Sequence, residues 1–218
     1  MRILALDAAL ARCAVGLITD ETLTAQRIEP GGRGHAALLA PMVQAVLDEA
    51  AIQPGQLDLI AATIGPGSFT GIRAALALAH GIALGAAIPV IGVTVAEALA
   101  SALPHLGTRQ LWVGIHARRG RIFLERDGAI TGMAEADLPR PDGPVAAAGD
   151  AAPEIAARLA ARDHDVMLTD ARTPLPRHIA MVAAARHAGQ RPPLAAIPLY
   201  VDPPEAQPPA GGLRPPPA

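Results

Sequence analysis

The strongest constraint on the fold of this chain is the turn at residues 65–73, whose sequence is GPGSFTGIR. An apolar run at residues 57–64 precedes the turn, and a long segment of small residues at 72–87 follows it. Gly65 and Gly67 permit a positive φ or the close approach of another backbone. Three glycines and one proline within seven residues therefore specify a particular backbone path, which joins a buried strand to a long helix.

The turn has two interpretations that the residues alone leave open. A glycine-rich connection from strand to helix can place backbone N–H groups around a phosphate, and Ser68 or Thr70 would cap the helix that follows. The P-loop form of such a site needs a lysine at its end, but all 18 basic residues of the chain are arginine. The alternative is a tight turn that binds no ligand and only connects the two elements.

Composition excludes several classes of function. Of the 218 residues, 51% are hydrophobic but only 2% are aromatic, so the core consists of small aliphatic side chains and no aromatic platform for single-stranded nucleic acid can form. The formal net charge of -2 gives no basic field, and we expect any direct binding of RNA to be weak. Cys13 is the single cysteine, which excludes an internal disulfide and is typical of a reducing compartment.

The order of the predicted elements indicates an α/β protein. Three strands are followed by helix, strand, helix and strand, and this half is predicted to form one subdomain at residues 1–103. Residues 104–202 are expected to form a smaller α/β subdomain with a hairpin around residues 118–120. Residues 203–218 are rich in proline and glycine, which predicts a disordered tail. No internal sequence repeat is visible.

An uncharged run at residues 74–96 has the length of a membrane span, but its composition argues against one. Much of the run is alanine, His80 interrupts it, and Pro89 precedes an apolar stretch that predicts a strand. A helix, a turn and a buried strand explain the run better, and the apolar N-terminus is too short for a signal peptide. We therefore expect a soluble cytoplasmic protein.

The two long helices predicted at residues 35–52 and 71–87 carry more apolar surface than one sheet can cover. Apart from its first turn, the second helix has a single polar side chain, His80. Gly81 and Gly85 each cost about 1 kcal/mol of helix propensity relative to alanine, so close approach of a neighbouring backbone should compensate. One face must pack on the sheet, whereas the other needs a second internal layer or another protein. The sequence does not decide which face is which.

Few residues could carry chemistry. No serine lies in a nucleophile elbow and no pair of histidines has the spacing of a metal site, so we predict neither a catalytic set nor a metal centre. Asp7, at the end of the first strand, is the best single candidate, because a carboxylate there can hold Mg²⁺-bound phosphates. Sites of that kind place a small hydroxyl residue or glycine directly after the acid, whereas Ala8 and Ala9 follow here. A purely structural role for Asp7 is the alternative.

In combination, these segments resemble the TsaB family, also called YeaZ, over residues 1–205. The most specific element is the turn, whose residues are Gly65, Pro66, Gly67, Ser68, Phe69, Thr70, Gly71, Ile72 and Arg73. Further matching segments are residues 3–7, His35 with residues 39–43, residues 79–83, 89–93 and 117–120, and the Pro-x-Tyr segment at 198–200. The chain departs from the family pattern at Ala8, Ala36, His116 and Arg121, where the family usually has hydroxyl or acidic residues.

The resemblance implies two ribonuclease-H-like subdomains of the actin/Hsp70/sugar-kinase (ASKHA) type and a pseudo-enzyme in the synthesis of threonylcarbamoyladenosine in tRNA. Proteins of this family pair with TsaD, the transferase that carries the metal-binding histidines, and the ATPase TsaE joins the complex. The chain would meet tRNA only through that complex. The family contact lies on the first two helices, and the interface residues expected here are Leu38, Leu39, Met42, Val43, Val46, Ile72, Leu76, Ala79, His80 and Ala83.

Other hypotheses stay open beside this one. The main rival is an independent ATP-dependent kinase-like or hydrolytic enzyme that uses Asp7 and the glycine turn. A third is an inactive glycoprotease-like protein with cell-envelope partners, although no peptidase constellation is present. No cofactor is expected, and the sequence leaves undecided whether a nucleotide binds between subunits, with Asp7 as a vestigial contact, and whether the free chain forms a homodimer.

Overall fold

The structure, a computed structural model, describes residues 1–30 and 35–202, except for the side chains of His35 and Ala36. The tail predicted at 203–218 and the departure at Ala36 lie outside this described part. Two five-stranded sheets and five α-helices make up the fold of the part described. The helices are α1 (His35–Glu49), α2 (Phe69–Ala86), α3 (Val95–Ser101), α4 (Ala152–Ala160) and α5 (Pro176–His187).

The first sheet has the strand order β3-β2-β1-β4-β5. Its strands are β1 (Arg2–Asp7), β2 (Arg12–Thr19), β3 (Thr22–Pro30), β4 (Leu59–Gly65) and β5 (Val90–Thr94). The first three strands form an antiparallel meander, whereas β4 runs parallel to β1 and β5 runs parallel to β4. The central strands β1 and β4 are buried along almost their whole length, because helices cover both faces of the sheet.

The helices form one layer on each face of the first sheet. α1 and α2 pack side by side on one face, in the core that contains Leu4 and Leu6 of β1. α5 packs on the opposite face together with α3, in a core that contains Ile3 and Ala5. β1 thus alternates its side chains between the two layers, as the two-residue repeat of a strand requires.

The second sheet repeats the arrangement of the first, with the order β10-β9-β6-β7-β8. Its strands are β6 (Gln110–His116), β7 (Arg121–Arg126), β8 (Ala129–Ala134), β9 (Val145–Ala148) and β10 (Val166–Leu168). β6, β7 and β8 form the meander, and β9 and β10 continue in parallel beside β6. Between β8 and β9 the chain forms a short 3-10 turn at Glu135–Asp137, whereas α1 lies between the corresponding strands β3 and β4 of the first half.

The two sheets share one apolar core. α4 covers one face of the second sheet, where Trp112 packs with Ile155. On the other face, Val113 and Ile115 join the same core as α1 and α2. The repeated strand order confirms the predicted α/β class with two ribonuclease-H-like subdomains of the ASKHA type, although no repeat is visible in the sequence.

The predicted hairpin around residues 118–120 is confirmed, and one strand differs from the prediction. α3 begins with a capping box, in which the backbone N–H groups of Thr94 and Glu97 each donate to the other residue's side chain. The strand β9 was missed, because its sequence VAAA has no β-branched or aromatic pattern after the first residue. α5 packs on the first sheet, although it lies within the subdomain predicted at residues 104–202.

α2 is long and apolar enough to cross a membrane by length and composition. In the structure its inward face packs on β4 and β1, and α1 lies beside it. Those contacts explain the apolar inward face of α2 without a bilayer. The apolar character of its outward face has no such explanation within the described chain.

Replacing Gly71 with alanine tests the close packing at the start of α2. Helix propensity alone would favour alanine by about 1 kcal/mol. However, a Cβ on Gly71 would lie 2.0 Å from the carbonyl oxygen of Ala8, so we expect Gly71→Ala to lower the free energy of unfolding by roughly 1–3 kcal/mol. Urea unfolding measures the change.

Gly81 provides the matched control, because a Cβ there would meet nothing within 4 Å. Gly81→Ala should raise the free energy of unfolding by about 0.5–1 kcal/mol. Equal effects of the two substitutions would contradict the packing described for Gly71.

Candidate functional site

The glycine turn packs against the chain's own backbone. A Cβ on Gly67 would lie 2.1 Å from the carbonyl oxygen of Ala9, and the Ser68 N–H donates to the same oxygen at 2.7 Å. Ser68 is also the N-cap of α2, since its hydroxyl oxygen accepts from the Gly71 N–H at 3.1 Å. These glycines therefore allow the turn to contact the chain's own backbone, in the segment that follows β1.

Asp7 lies beneath this contact and is completely buried. Its Oδ1 accepts hydrogen bonds from the Thr63 hydroxyl at 2.5 Å and from the Ala9 N–H at 3.1 Å. No hydrogen-bond partner within the described residues reaches Oδ2. Ala8 and Ala9, which follow Asp7, are buried as well. The carboxyl group thus has no open face toward solvent, unlike a group that binds a phosphate-bound cation.

Burial raises the pKa of Asp7 from its ordinary value of 3.8 to about 6. The hydrogen bonds from Thr63 and Ala9 and the charge of Arg12 oppose this change but do not cancel it. Burial also lowers the pKa of Arg12, whose guanidinium donates to the carbonyl oxygens of Thr173 and Pro174. The protonated, neutral form of Asp7 is therefore favoured by the fold over a wider pH range than for an exposed aspartate.

The structure separates the ten predicted interface residues into two groups. Leu38 and His80 are exposed. The other eight face the sheet and are buried in the chain's own core, namely Leu39, Met42, Val43, Val46, Ile72, Leu76, Ala79 and Ala83. A partner could not contact those eight side chains without moving the helices, so they hold α1 and α2 on the sheet.

The solvent-facing sides of α1 and α2 form a surface that we call the outer helix face. On α2 it contains Ala77, His80, Gly81, Leu84 and Gly85, and on α1 it contains Ala37, Leu38, Ala40, Pro41, Gln44 and Asp48. The Leu84 side chain is 86% exposed. A Cβ on Gly81 or Gly85 would meet nothing within 4 Å, so no packing within the described chain accounts for these two glycines.

An aromatic and cationic cluster lies at the start of α2, and sequence analysis did not find it. The Arg73 guanidinium carbon stacks 3.7 Å above the centre of the Phe69 ring, and Arg73 Nε donates to the Tyr200 hydroxyl at 2.8 Å. The two rings lie 5.8 Å apart between centroids. The spacing of four residues between Phe69 and Arg73 could have suggested one contact, but Tyr200 lies 127 positions away in the chain.

Two departures from the family pattern have contacts of their own. The His116 N–H donates to Asp150 at 2.9 Å, and its ring nitrogens lie 3.5 Å from Asp150 and from Glu154. Arg121 donates two hydrogen bonds to Asp202, near the end of the described chain. Within residues 1–30 and 35–202, no three His, Cys, Asp or Glu side chains are grouped closely enough to hold a metal ion.

The fold and the site define an ASKHA-type α/β protein. Its Asp7 carboxyl group is buried, and its first two helices expose a largely apolar face. A family model described as TsaD, tRNA N6-adenosine threonylcarbamoyltransferase, matches residues 20–172. An uncharacterised protein of Mycobacterium tuberculosis is 34% identical over 218 residues, which cover 94% of each chain. The tRNA threonylcarbamoyladenosine biosynthesis protein TsaB of Escherichia coli is 38% identical over 124 residues. The chain belongs to the TsaB (YeaZ) family.

The extent of these matches differs. The match with the E. coli protein covers 56% of this chain and 53% of that protein, so the chain spans about half the length of this curated relative. The structure of YeaZ from Pseudomonas aeruginosa superimposes with a TM-score of 0.70 and covers 91% of this chain and 99% of that one. At 24% identity, the superposition shows that the two proteins share a fold.

The pKa of Asp7 predicts how stability depends on pH. Because the pKa in the folded state, about 6, lies above its ordinary value of 3.8, the folded state holds the proton more tightly. The stabilisation from the neutral carboxyl is complete below pH 3.8 and is lost as the pH rises through 6. A shift of this size corresponds to roughly 3 kcal/mol.

Asp7→Asn isolates this contribution, since other titrating groups cancel in the difference between the two proteins. Glu125, whose pKa burial and nearby Glu97 raise to about 7, is one such group. We expect the variant to gain stability relative to the wild type between pH 4 and pH 7, measured by urea unfolding at each pH. A stability difference that instead moves in favour of the wild type over this pH range would show that the fold favours the ionised carboxylate.

Proposed function

We propose that this protein is a non-catalytic subunit that binds and activates a TsaD-type transferase in the synthesis of threonylcarbamoyladenosine in tRNA. A TsaE-type ATPase completes the proposed complex, and tRNA meets this chain only through it. Membership of the TsaB family supports the role in this modification, because the E. coli relative is named as a biosynthesis protein for this nucleoside. The match to the TsaD family model supports a partner of the same fold, since related subunits commonly pair through equivalent surfaces.

The outer helix face is the observation that carries the proposal. Apart from Gln44 and Asp48 on α1 and His80 on α2, its central positions are apolar or glycine. Fully burying a leucine such as Leu84 contributes about 1.5–3 kcal/mol. Gly81 and Gly85 would let a partner helix approach closely, and that approach would offset their cost in helix propensity. The face has the composition of the centre of a protein interface.

The surroundings of Asp7 favour this role over that of an independent ATP-dependent enzyme. Asp7 is sealed from solvent, and the glycine turn packs on Ala8 and Ala9. To bind a phosphate, the chain would have to expose the Asp7 carboxyl group and separate the glycine turn from Ala8 and Ala9. We therefore propose that neither Asp7 nor the turn binds a nucleotide in the free chain, and that the protein acts in the cytoplasm, where the tRNA-modifying complex would work. A homodimer of the free chain would use the same outer helix face.

Leu84→Arg tests the proposed surface. A charged side chain at the centre of an apolar interface loses its hydration without a partner, so we expect the dissociation constant for the TsaD-type transferase to rise by at least about 100-fold. Isothermal titration calorimetry with the two purified proteins measures it. Because Leu84 is 86% exposed, the fold should be unaffected, and circular dichroism checks this.

The matched control is Met181→Arg on α5, which lies on the opposite face of the first sheet. Met181 is 45% exposed, so the same charge is added at a surface outside the proposed contact, and affinity should not change. In a reconstituted reaction with TsaD-type and TsaE-type proteins, the control should support tRNA modification and Leu84→Arg should not. Unchanged modification without this chain, or ATP turnover by the chain alone that Asp7→Ala abolishes, would favour the rival enzyme.

A further inference from the structure

The Arg73 side chain is held in place although it is exposed. Phe69 covers one face of the guanidinium at 3.7 Å, and the Tyr200 hydroxyl occupies Nε. No carboxylate within the described residues forms an ion pair with Arg73, unlike Arg109, Arg121 and Arg186, which all pair with acidic side chains. Its two terminal nitrogens therefore remain available as a pair of donors with a defined orientation.

The segment at residues 192–202, which we call the C-terminal strap, keeps Tyr200 beside Arg73. Its Leu199 N–H donates to the Ile64 carbonyl at 2.8 Å, and the Ala196 carbonyl accepts from the His80 ring at 2.8 Å. Arg121 binds Asp202 beyond Tyr200. The strap is thus tied to β4, α2 and β7 on either side of the tyrosine, so the orientation of Arg73 depends on contacts from three elements.

Resting on the proposed function, we infer that Arg73 binds a carboxylate of the TsaD-type partner and fixes how the partner sits on the outer helix face. Arg73 lies on the same side of α2 as Ala77, Gly81 and Leu84, because these positions are three or four residues apart. It is the only charged side chain on α2. An arginine already immobilised by stacking loses little conformational entropy when a carboxylate binds to its two free nitrogens.

A carboxylate on a protein fits this position better than a phosphate of RNA. Binding to a nucleic acid backbone needs several cations along the path of the strand. The exposed positions that follow Arg73 on this side of α2 are Ala77, Gly81 and Leu84, and none of them is charged. The formal net charge of the chain is -2. A partner helix with an acidic side chain beside small apolar residues complements both the charge and the shape of this surface.

Three variants test the role of Arg73 in titrations of the full chain with the purified TsaD-type transferase. We expect Arg73→Ala to raise the dissociation constant by about 10- to 100-fold. Arg73→Lys keeps the charge but loses the paired donors and should raise it by about 5- to 10-fold. Tyr200→Phe removes only the hydroxyl that holds Nε and should raise it by about 3-fold. The affinity of the wild type should also fall with added salt more steeply than that of Arg73→Ala.

The outcomes separate this inference from the proposed function. If the wild type binds the transferase and Arg73→Ala binds within 2-fold of it, the inference is overturned while the proposed function stands. If the wild type does not bind, both fail. If Arg73→Ala instead weakens binding of the free chain to tRNA and leaves the affinity for the transferase unchanged, Arg73 contacts RNA and the inference is wrong.

Discussion

Gly67 and Gly71 bring the start of α2 into contact with the carbonyl groups of Ala8 and Ala9, at distances that a Cβ would not allow. This contact fixes where α2 begins and how the helix is rotated about its axis. The rotation turns Ile72, Leu76, Ala79 and Ala83 toward the sheet. It leaves Leu84 and the two exposed glycines facing outward. The same contact covers Ala8 and Ala9, which follow Asp7. One packing arrangement therefore accounts both for the outward residues of α2 and for the burial of the Asp7 carboxyl group.

The two sheets meet at the segment that follows Asp7, which explains why the carboxyl group of Asp7 is closed off from solvent by the described residues. Ala8, Ala9 and Leu10, which follow β1, belong to the same apolar core as Val113 and Ile115 of the second sheet. Small side chains fill the space where the two halves meet, and within residues 1–30 and 35–202 they leave Asp7 completely buried. The raised pKa of Asp7 follows from that filling, because a buried carboxylate has lost its hydration without gaining an opposite charge in direct contact.

Most of the elements could be predicted from the sequence, because their signals are local. The capping box of α3, the hairpin of β6 and β7 and the strand-to-helix turn each depend on residues within a few positions of one another. The strand β9 could not, since alanine has no preference for strands. The docking of α5 on the first sheet depends on contacts across the whole chain, which no local pattern reveals.

The candidate site was harder to predict than the fold for two physical reasons. Both faces of α2 are apolar, so periodicity alone could not show which stripe is buried, and the predicted interface included mainly the inward residues. The Arg73 cluster depends on Tyr200, which the C-terminal strap brings from the far end of the chain. Composition and family resemblance indicated that these helices have a role in binding, but only the three-dimensional packing distinguishes the outward residues.

The central claim is that a TsaD-type transferase covers the outer helix face, and thiol protection tests it most directly. The single native cysteine, Cys13, is buried, so Leu84→Cys introduces one reactive thiol on this face. We predict that a maleimide labels this thiol rapidly in the free chain and at least about 10-fold more slowly in the presence of saturating transferase. A thiol from Met181→Cys should react equally fast in both cases. Equal labelling at position 84 with and without bound transferase would contradict the account.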